Sequence, residues 1–151
     1  MISNLNDIFS TNSKGMKRSA IRELLKLTQR PEVISFAGGL PAPESFPVED
    51  LKVIIQEMME KEPALALQYG ATEGDMLLRK EIVKKYQQEG FDITIDNVII
   101  VTASQQALDL IAKIFINRGD SIICGLPSYL GGLGAFNSYG AQMHGIPLDE
   151  H

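Results

Sequence analysis

The stretch Val98-Ile99-Ile100-Val101-Thr102-Ala103-Ser104-Gln105-Gln106 decides the fold class of this chain of 151 residues. Its first four residues form a continuous β-branched run, which is typical of a strand buried on both faces of a parallel sheet. The residues that follow predict a helix over 105–116, because Leu108, Ile111 and Phe115 recur at the spacing of one buried face. We therefore expect a strand that turns directly into a helix.

Further helices and strands are expected on both sides of this stretch. Apolar spacing, prolines and glycines predict helices at 17–27, 47–63, 75–89 and 129–139. Short apolar runs predict strands at 33–36, 121–124 and 142–148. From residue 97 onward the order is strand, helix, strand, helix, strand. That order predicts an α/β fold with a mostly parallel sheet covered by helices.

Composition and charge exclude several classes of function. The net charge is −5 with no basic patch, so the sequence predicts no nucleic-acid partner. The longest apolar stretches fall short of the roughly 20 residues that a membrane-spanning helix needs. One cysteine and two histidines give no disulfide and no metal-ligand spacing. The first residues are polar and lack the apolar segment of a signal peptide, which predicts a cytoplasmic protein.

The turn from the first strand into the helix is a candidate phosphate site. Main-chain N–H groups at a helix start are unpaired and carry partial positive charge. Ser104 and Gln105 would add side-chain donors to the same anion. The alternative is that Ser104 simply caps the helix, since serine is a common N-cap, and the pattern alone favours that alternative. The sequence contains no GxGxxG dinucleotide fingerprint.

Four other residues are candidates, each with a plain structural alternative. Tyr129 follows the second strand, where its ring could stack on a flat ligand or lie half-buried in a loop. Tyr69 could donate a hydrogen bond to a phosphate oxygen or pack against its own helix. Gly39 could let a ligand approach the backbone or merely form a turn. Arg22 could bind a carboxylate or be an exposed helix arginine.

Four segments that contain most of these candidates occur in a characteristic order. They are ISFAGGLP at 34–41, LQYGATEG at 67–74, SQQALD at 104–109 and PSY at 127–129. In order and spacing they resemble the amino-terminal portion of class I/II aminotransferases of PLP fold type I. The most similar branch contains the 2-aminoadipate and kynurenine aminotransferases. The resemblance therefore implies an incomplete α/β fold of this type, with pyridoxal 5′-phosphate as the cofactor of the intact enzyme.

The resemblance also implies roles for the cofactor-binding residues. Ser104 and Gln105 would bind the cofactor phosphate, and the Tyr129 ring would stack on the pyridine ring. Tyr69 would reach across the interface of a homodimer to the phosphate held by the partner subunit. Each role agrees with the chemistry that the residues themselves suggest.

On the substrate side, the resemblance places Gly39 beside the substrate and matches Arg22 to an arginine in the helix that covers the entrance. Two positions depart from the pattern: the family usually has glycine where Ala103 stands, and an acidic or polar residue is common where Gly125 stands. The resemblance implies residues 1–46 as an arm and the start of a small domain. Residues 47–151 would be the first, truncated part of the large cofactor-binding domain.

No catalytic residue is assigned to the chain. The resemblance implies a lysine that forms a Schiff base with the cofactor, and it places that lysine well downstream of the PSY tyrosine. The last lysine of the sequence is Lys113, on the predicted phosphate helix. We expect an aminotransferase that moves an amino group from an amino acid to a 2-oxo acid, present here as an inactive amino-terminal fragment.

Two other interpretations stay open. The chain could be a truncated, non-catalytic product that only binds ligands or associates with other subunits. It could also be the effector part of a transcription regulator built on the same fold. The regulator is the weaker alternative. Such regulators have a DNA-binding helix-turn-helix before the matching segments, whereas this sequence has a short polar arm there and no basic recognition helix.

Overall fold

The structure is a computed structural model that describes residues 4–16, 32–34, 36 and 39–149. The predicted helix at 17–27, and Arg22 within it, lie outside the described residues. The chain forms two compact units, one of residues 1–18 with 101–151 and one of residues 19–100. The domain boundary expected at residues 46 and 47 stays a prediction.

The described residues form six α-helices, three short 3-10 helices and two strands. The α-helices are α1 Thr11–Gly15, α2 Val48–Lys61, α3 Pro63–Leu67, α4 Met76–Gln88, α5 Ala103–Phe115 and α6 Leu130–Ser138. The strands are β1 Ser121–Leu126 and β2 Gln142–Pro147. The 3-10 helices are Leu5–Asp7, Pro43–Ser45 and Ile95–Asn97. The helices predicted at 47–63, 75–89, 105–116 and 129–139 are confirmed, as are the strands at 121–124 and 142–148.

In the unit of residues 19–100, the segment that follows α4 is locked onto that helix. Arg79 of α4 is buried, and its guanidinium donates hydrogen bonds to the carbonyls of Val98 at 2.9 Å and Ile95 at 2.7 Å. The Ile100 N–H donates to the Glu73 carbonyl at 2.9 Å. The Arg79 side chain and the Glu73 carbonyl thus hold residues 95–100.

In the other unit, β1 and β2 form a two-stranded parallel sheet, with Ser121 opposite Gln142 and Leu126 opposite Pro147. Helix α6 connects the two strands and packs against α5. Ala112 of α5 and Ala135 of α6 are both buried, and a Cβ at Gly132 of α6 would lie 3.8 Å from Leu108 Cδ2 of α5. The predicted parallel sheet with helical cover is therefore confirmed for β1, α6 and β2.

Two predicted strands are wrong. Residues 98–101 form no strand, because a strand needs a hydrogen-bonded neighbour and no described strand lies beside them. The described residues of the 33–36 run also lie outside any strand, with the side chain of Phe36 fully exposed.

The expected burial of apolar faces is also wrong for most of the described residues. Leu51 and Ile54, on the apolar face of α2, are 47% and 59% exposed, and Ile123 of β1 is 75% exposed. Among the described residues only Ala112 and Ala135 are both hydrophobic and buried. Among the described residues, nothing covers the apolar face of α2.

Candidate functional site

Helix α5 begins without a side-chain cap. Its N-cap is Thr102, which has φ −78° and ψ 90° and makes no side-chain capping hydrogen bond. Ser104 lies in the first turn of the helix rather than at the N-cap, so the capping alternative for Ser104 is wrong. The helix ends one residue earlier than expected and starts two residues earlier, because the turn is formed at Thr102 and Ala103.

Ala103 has a backbone conformation that favours glycine. Its φ is +58°, and it is the only described residue other than glycine with a positive φ. The Cβ of an L-residue clashes with the backbone there, at a cost of about 1 kcal/mol. The glycine that the resemblance leads one to expect at this position was the one sequence signal for this conformation.

The polar groups of the turn fall into two sets. The Gln106 side chain reaches back along α5, and its Oε1 accepts a hydrogen bond from the Thr102 N–H. Ser104 is exposed, and no hydrogen bond of its hydroxyl to any described residue is present. The first N–H groups of a helix have no partner inside it. The start of α5 therefore exposes main-chain donors and a hydroxyl together.

Gln105 and Tyr129 meet at Gly131. The Gln105 Nε2 donates a hydrogen bond to the Gly131 carbonyl at 3.1 Å. A Cβ at Gly131 would lie 2.5 Å from Gln105 Oε1 and 2.5 Å from Tyr129 Cε1. Because both atoms are that close to one point, the two side chains are within about 5 Å of each other. The structure thus brings the candidate phosphate turn and the predicted stacking ring together, with Gly131 between them.

The loop before α6 holds Tyr129 in place. The Leu126–Pro127 peptide bond is cis, and the Ser128 hydroxyl donates to the Gly125 carbonyl at 2.6 Å. Tyr129 is the N-cap of α6, and its carbonyl accepts hydrogen bonds from the N–H groups of Gly132 and Leu133. The Tyr129 side chain is nevertheless 68% exposed, so its ring is free to contact a ligand.

A cavity of about 300 Å³ lies next to the Tyr129 ring. Its walls come from α5, β1, the loop and α6, and most are apolar: Leu108, Ile123, Cys124, Gly125, Ser128, Tyr129, Gly132, Leu133 and Phe136. Cys124 is half-buried there. Tyr129 therefore borders a largely apolar cavity.

Asp109, on the part of α5 beyond this turn, pairs with Tyr139. The Tyr139 hydroxyl donates to Asp109 Oδ1 at 3.3 Å. Partial burial of the phenol, and then the negative charge of Asp109 and this hydrogen bond, raise the pKa of Tyr139 above its ordinary value of 10.0. Tyr139 is therefore a neutral hydrogen-bond donor at physiological pH.

The other predicted site residues belong to the unit of residues 19–100. Tyr69 is 99% exposed, so the alternative that it packs against its own helix is wrong. Its N–H donates to Gln68 Oε1 at 2.8 Å. Gly39 has φ +54°, and no described atom lies within 4 Å of the position that a Cβ would take there. Its conformation suits glycine.

Three residues with structural importance to these regions were missed by the sequence analysis. Gly131 was hidden within a glycine-rich helix, although two adjacent glycines there were a signal of close approach. Gln106 gave no signal apart from its position beside Gln105. Arg79 gave none, because buried arginines are rare and helix periodicity places it beside the apolar face without marking it.

Within the described part of the chain, no helix is both long enough and apolar enough to cross a membrane.

Comparison with known proteins gives consistent matches. The chain is 51% identical over 144 residues to aromatic-amino-acid aminotransferase 1 of Thermococcus litoralis, which covers 94% of this chain and 34% of that protein. The structure of Pyrococcus horikoshii kynurenine aminotransferase, in complex with PMP, matches with a TM-score of 0.84 and 44% identity. That match covers 99% of this chain and 37% of the other.

A third similar protein is LysN, the α-aminoadipate aminotransferase of Thermus thermophilus, crystallised with N-(5′-phosphopyridoxyl)-L-leucine. It matches with a TM-score of 0.85 and 35% identity, covering 97% of this chain and 35% of that one. More distant relatives include an uncharacterized HTH-type transcriptional regulator of Bacillus subtilis, 28% identical over 134 residues. No protein-family profile matches the chain.

The more similar relatives and the structural neighbours are aminotransferases of PLP fold type I, and the predicted resemblance is confirmed. The α/β fold is that of the amino-terminal portion of these enzymes. The chain spans about a third of the length of the relatives it matches.

Proposed function

We propose that this chain is part of a pyridoxal-phosphate-dependent aminotransferase, and that the start of α5 binds the phosphate of the cofactor. The start of α5 combines unpaired main-chain N–H groups with the exposed Ser104 hydroxyl. An aromatic ring stands next to it. A flat, phosphorylated cofactor needs both features at this spacing, and the residues present fit it.

The observation that carries the proposal is the junction at Gly131. The Gln105 side chain and the Tyr129 ring both lie 2.5 Å from the position that a Cβ would occupy there. A phosphate bound by the first turn of α5 would thus have an aromatic ring within reach of the group attached to it. Similar proteins have been crystallised with PMP and with a phosphopyridoxyl compound, which supports this choice of cofactor.

The residues of this chain would bind the cofactor and orient its ring. The Ser104 hydroxyl and the N–H groups of the first turn donate hydrogen bonds to phosphate oxygens, whose charge of about −1.5 to −2 also favours a helix N-terminus. Gln105 keeps one amide hydrogen beyond its bond to Gly131 for the same anion. Tyr129 covers one face of the pyridine ring and excludes water from it. The bound cofactor supplies an electron sink that the protein cannot provide by itself.

Tyr69 and Gly39 fit supporting roles. A tyrosine that is 99% exposed contacts little of its own chain, which suits a residue that reaches the cofactor phosphate of a partner subunit in a homodimer. Gly39 would lie beside the substrate, and no described atom occupies the position of a Cβ there. We assign Arg22 to the helix that covers the entrance, on the resemblance alone.

The reaction of the whole enzyme would move an amino group from an amino acid to a 2-oxo acid in the cytoplasm. This chain contributes cofactor binding and no catalytic residue. Its last lysine, Lys113, is exposed in the last turn of α5, away from the first turn that we assign to the phosphate. We therefore expect residues 1–151 by themselves to be inactive.

Affinity for two forms of the cofactor tests the binding proposal. Pyridoxamine 5′-phosphate is the probe, because it has no aldehyde to react with surface lysines, and pyridoxamine without the phosphate is the comparison. We expect the phosphorylated compound to bind at least about tenfold more tightly, because charge-assisted hydrogen bonds to phosphate contribute about 1.5–3 kcal/mol. Equal affinities would contradict the phosphate site.

Enzyme activity is tested separately. The product of the complete reading frame that contains these residues is assayed with amino acids and 2-oxo acids in the presence of the cofactor. Amino-group transfer supports the proposal, and its absence with every pair would contradict it. The aminotransferases among the similar proteins favour an enzyme over a non-catalytic product. The distant regulator relatives make DNA binding by the same gene product a useful additional measurement.

A further inference from the structure

We infer that Gln106 is a positioning residue for the phosphate turn, and that it replaces the missing side-chain cap of α5. The inference rests on the proposed function, because it assigns a role to a residue that supports the proposed site. Gln106 is the second glutamine of the SQQ segment, and the first, Gln105, is assigned to the phosphate.

The turn that begins α5 has no ordinary side-chain cap. Serine, threonine, aspartate or asparagine at an N-cap accepts a hydrogen bond from an N–H two or three residues later. Thr102 occupies the N-cap and makes no such bond. A helix start with no cap frays readily, and its N–H groups then lose the fixed directions that an anion site needs.

The backbone of the same turn is strained at Ala103. Ala103 has φ +58°, a conformation that alanine adopts only when its surroundings enforce it. Left to itself, the backbone would relax toward a negative φ and change the directions of the N–H groups that follow. Something in the structure must oppose that relaxation.

The Gln106 side chain is the group that opposes this relaxation of the backbone. Gln106 Oε1 accepts the Thr102 N–H, and this is the described side-chain hydrogen bond that spans Ala103. It ties the residue before the strained position to the helix after it. The bond runs from the helix back to the N-cap, the direction of the second half of a capping box. Gln106 uses its oxygen for this bond, and the turn keeps its shape before any ligand arrives.

This preorganisation has a consequence for binding. A turn that is already held does not have to be ordered when phosphate binds, so less affinity is lost. Without the Gln106 bond, the phosphate-dependent part of the affinity should decrease, while the contact of the ring with Tyr129 should not.

The test compares Gln106→Met, which keeps the size of the side chain and removes the acceptor, with Gln87→Met as the matched control. Gln87 lies on α4, and its Nε2 donates to the Ile93 carbonyl at 2.8 Å. Both variants therefore lose one bond between a glutamine and the main chain. For each protein, the affinities for pyridoxamine 5′-phosphate and for pyridoxamine are measured by titration.

We expect Gln106→Met to reduce the ratio of the two affinities by about three- to tenfold, the effect of one lost hydrogen bond. Gln87→Met should keep the wild-type ratio. If the wild-type ratio is large and Gln106→Met preserves it, the inference is wrong and the proposed function stands. If the wild-type ratio is one, the proposed function fails and the inference fails with it.

A second readout does not depend on the ligand. Hydrogen exchange of the Thr102 amide should accelerate by about three- to tenfold in Gln106→Met, because its described acceptor is lost. Combining the change with Ala103→Gly should restore part of the affinity ratio, since glycine adopts this φ without strain. Unchanged exchange at Thr102, or no restoration by Ala103→Gly, would overturn the inference.

Discussion

Helices α4 and α5 both follow a turn, yet their first residues are held in opposite ways. At α4, the Asp75 carboxylate caps the helix by accepting the Leu78 N–H at 2.9 Å, and Gly74 before it packs against Ile100. At α5, the N-cap Thr102 makes no capping bond, and Ser104 stays exposed. The start of α4 satisfies its donors within the chain, whereas the start of α5 leaves donors for a ligand.

The difference shows how to separate a structural helix start from a functional one. A structural start loses stability when its polar groups are removed, because their partners are in the protein. A functional start loses ligand affinity instead, because the partner is the ligand. The predictions below use this contrast.

Gly74→Ala should give the largest effect. A Cβ there would lie 2.4 Å from the Cβ of Ile100, and φ is +97°. Overlap and backbone strain together should lower the free energy of unfolding by about 3 kcal/mol. Urea denaturation measures this loss. The control is Gly90→Ala, where φ is +91° but no atom lies within 4 Å, and about 1 kcal/mol should be lost. Equal losses would mean that the packing against Ile100 is unimportant.

Gly131→Ala should affect ligand binding more than stability. The added methyl group would displace the Gln105 amide and the Tyr129 ring, each 2.5 Å away. Because these are side-chain atoms that can move, we expect about a tenfold loss of affinity for pyridoxamine 5′-phosphate. Gly134→Ala on the same helix has open space, so it should leave affinity unchanged. A tight-binding Gly131→Ala protein would show that the junction is not part of the site.

Asp75→Ala and Ser104→Ala test the contrast directly. Asp75→Ala removes the cap of α4 and should cost about 1 kcal/mol of stability without a change in affinity. Ser104→Ala should change stability by less than about 0.5 kcal/mol and weaken binding of the phosphorylated probe. Thermal unfolding measures the stability of both variants, and titration measures their affinity for pyridoxamine 5′-phosphate. A stability loss in Ser104→Ala similar to that in Asp75→Ala would contradict the distinction.

The smallest effect concerns pH. The pKa of Tyr139 is raised in the folded chain by partial burial and by Asp109, so its contribution to stability is present below the unfolded value of 10.0. The contribution is lost as pH rises through the higher folded pKa. Wild type should therefore become less stable above pH 10, and Tyr139→Phe should lack this loss. Equal pH dependence of unfolding in both proteins would show that the pairing with Asp109 is absent.

Local features of the fold were predictable from sequence because local chemistry determines them. Pro47 precedes α2, Asp75 caps α4, and Gly90 with φ +91° follows α4, each as its residue type indicates. The lack of a strand at 98–101 was not predictable, because β-branched residues indicate a strand but cannot show whether a neighbour is present for it to pair with. The expected burial of the apolar face of α2 was wrong for a similar reason, because the pattern of a helix does not show what will cover it.

The site was predictable in part. Residue types marked Ser104 and Tyr129 as candidates, and the resemblance gave them roles. Their closeness through Gly131 required coordinates, because it depends on how α5 and α6 pack. The left-handed conformation of Ala103 also required coordinates, since a positive φ is uncommon for residues other than glycine.

Chemical-shift mapping of the isotope-labelled chain during titration with pyridoxamine 5′-phosphate tests the central claim most directly. The account predicts that the amides of Ser104 and Gln105 and the ring of Tyr129 shift most, while the amides of Asp75 and Leu78 do not change. Shifts at the start of α4 as large as those at the start of α5, or shifts at neither, would contradict it.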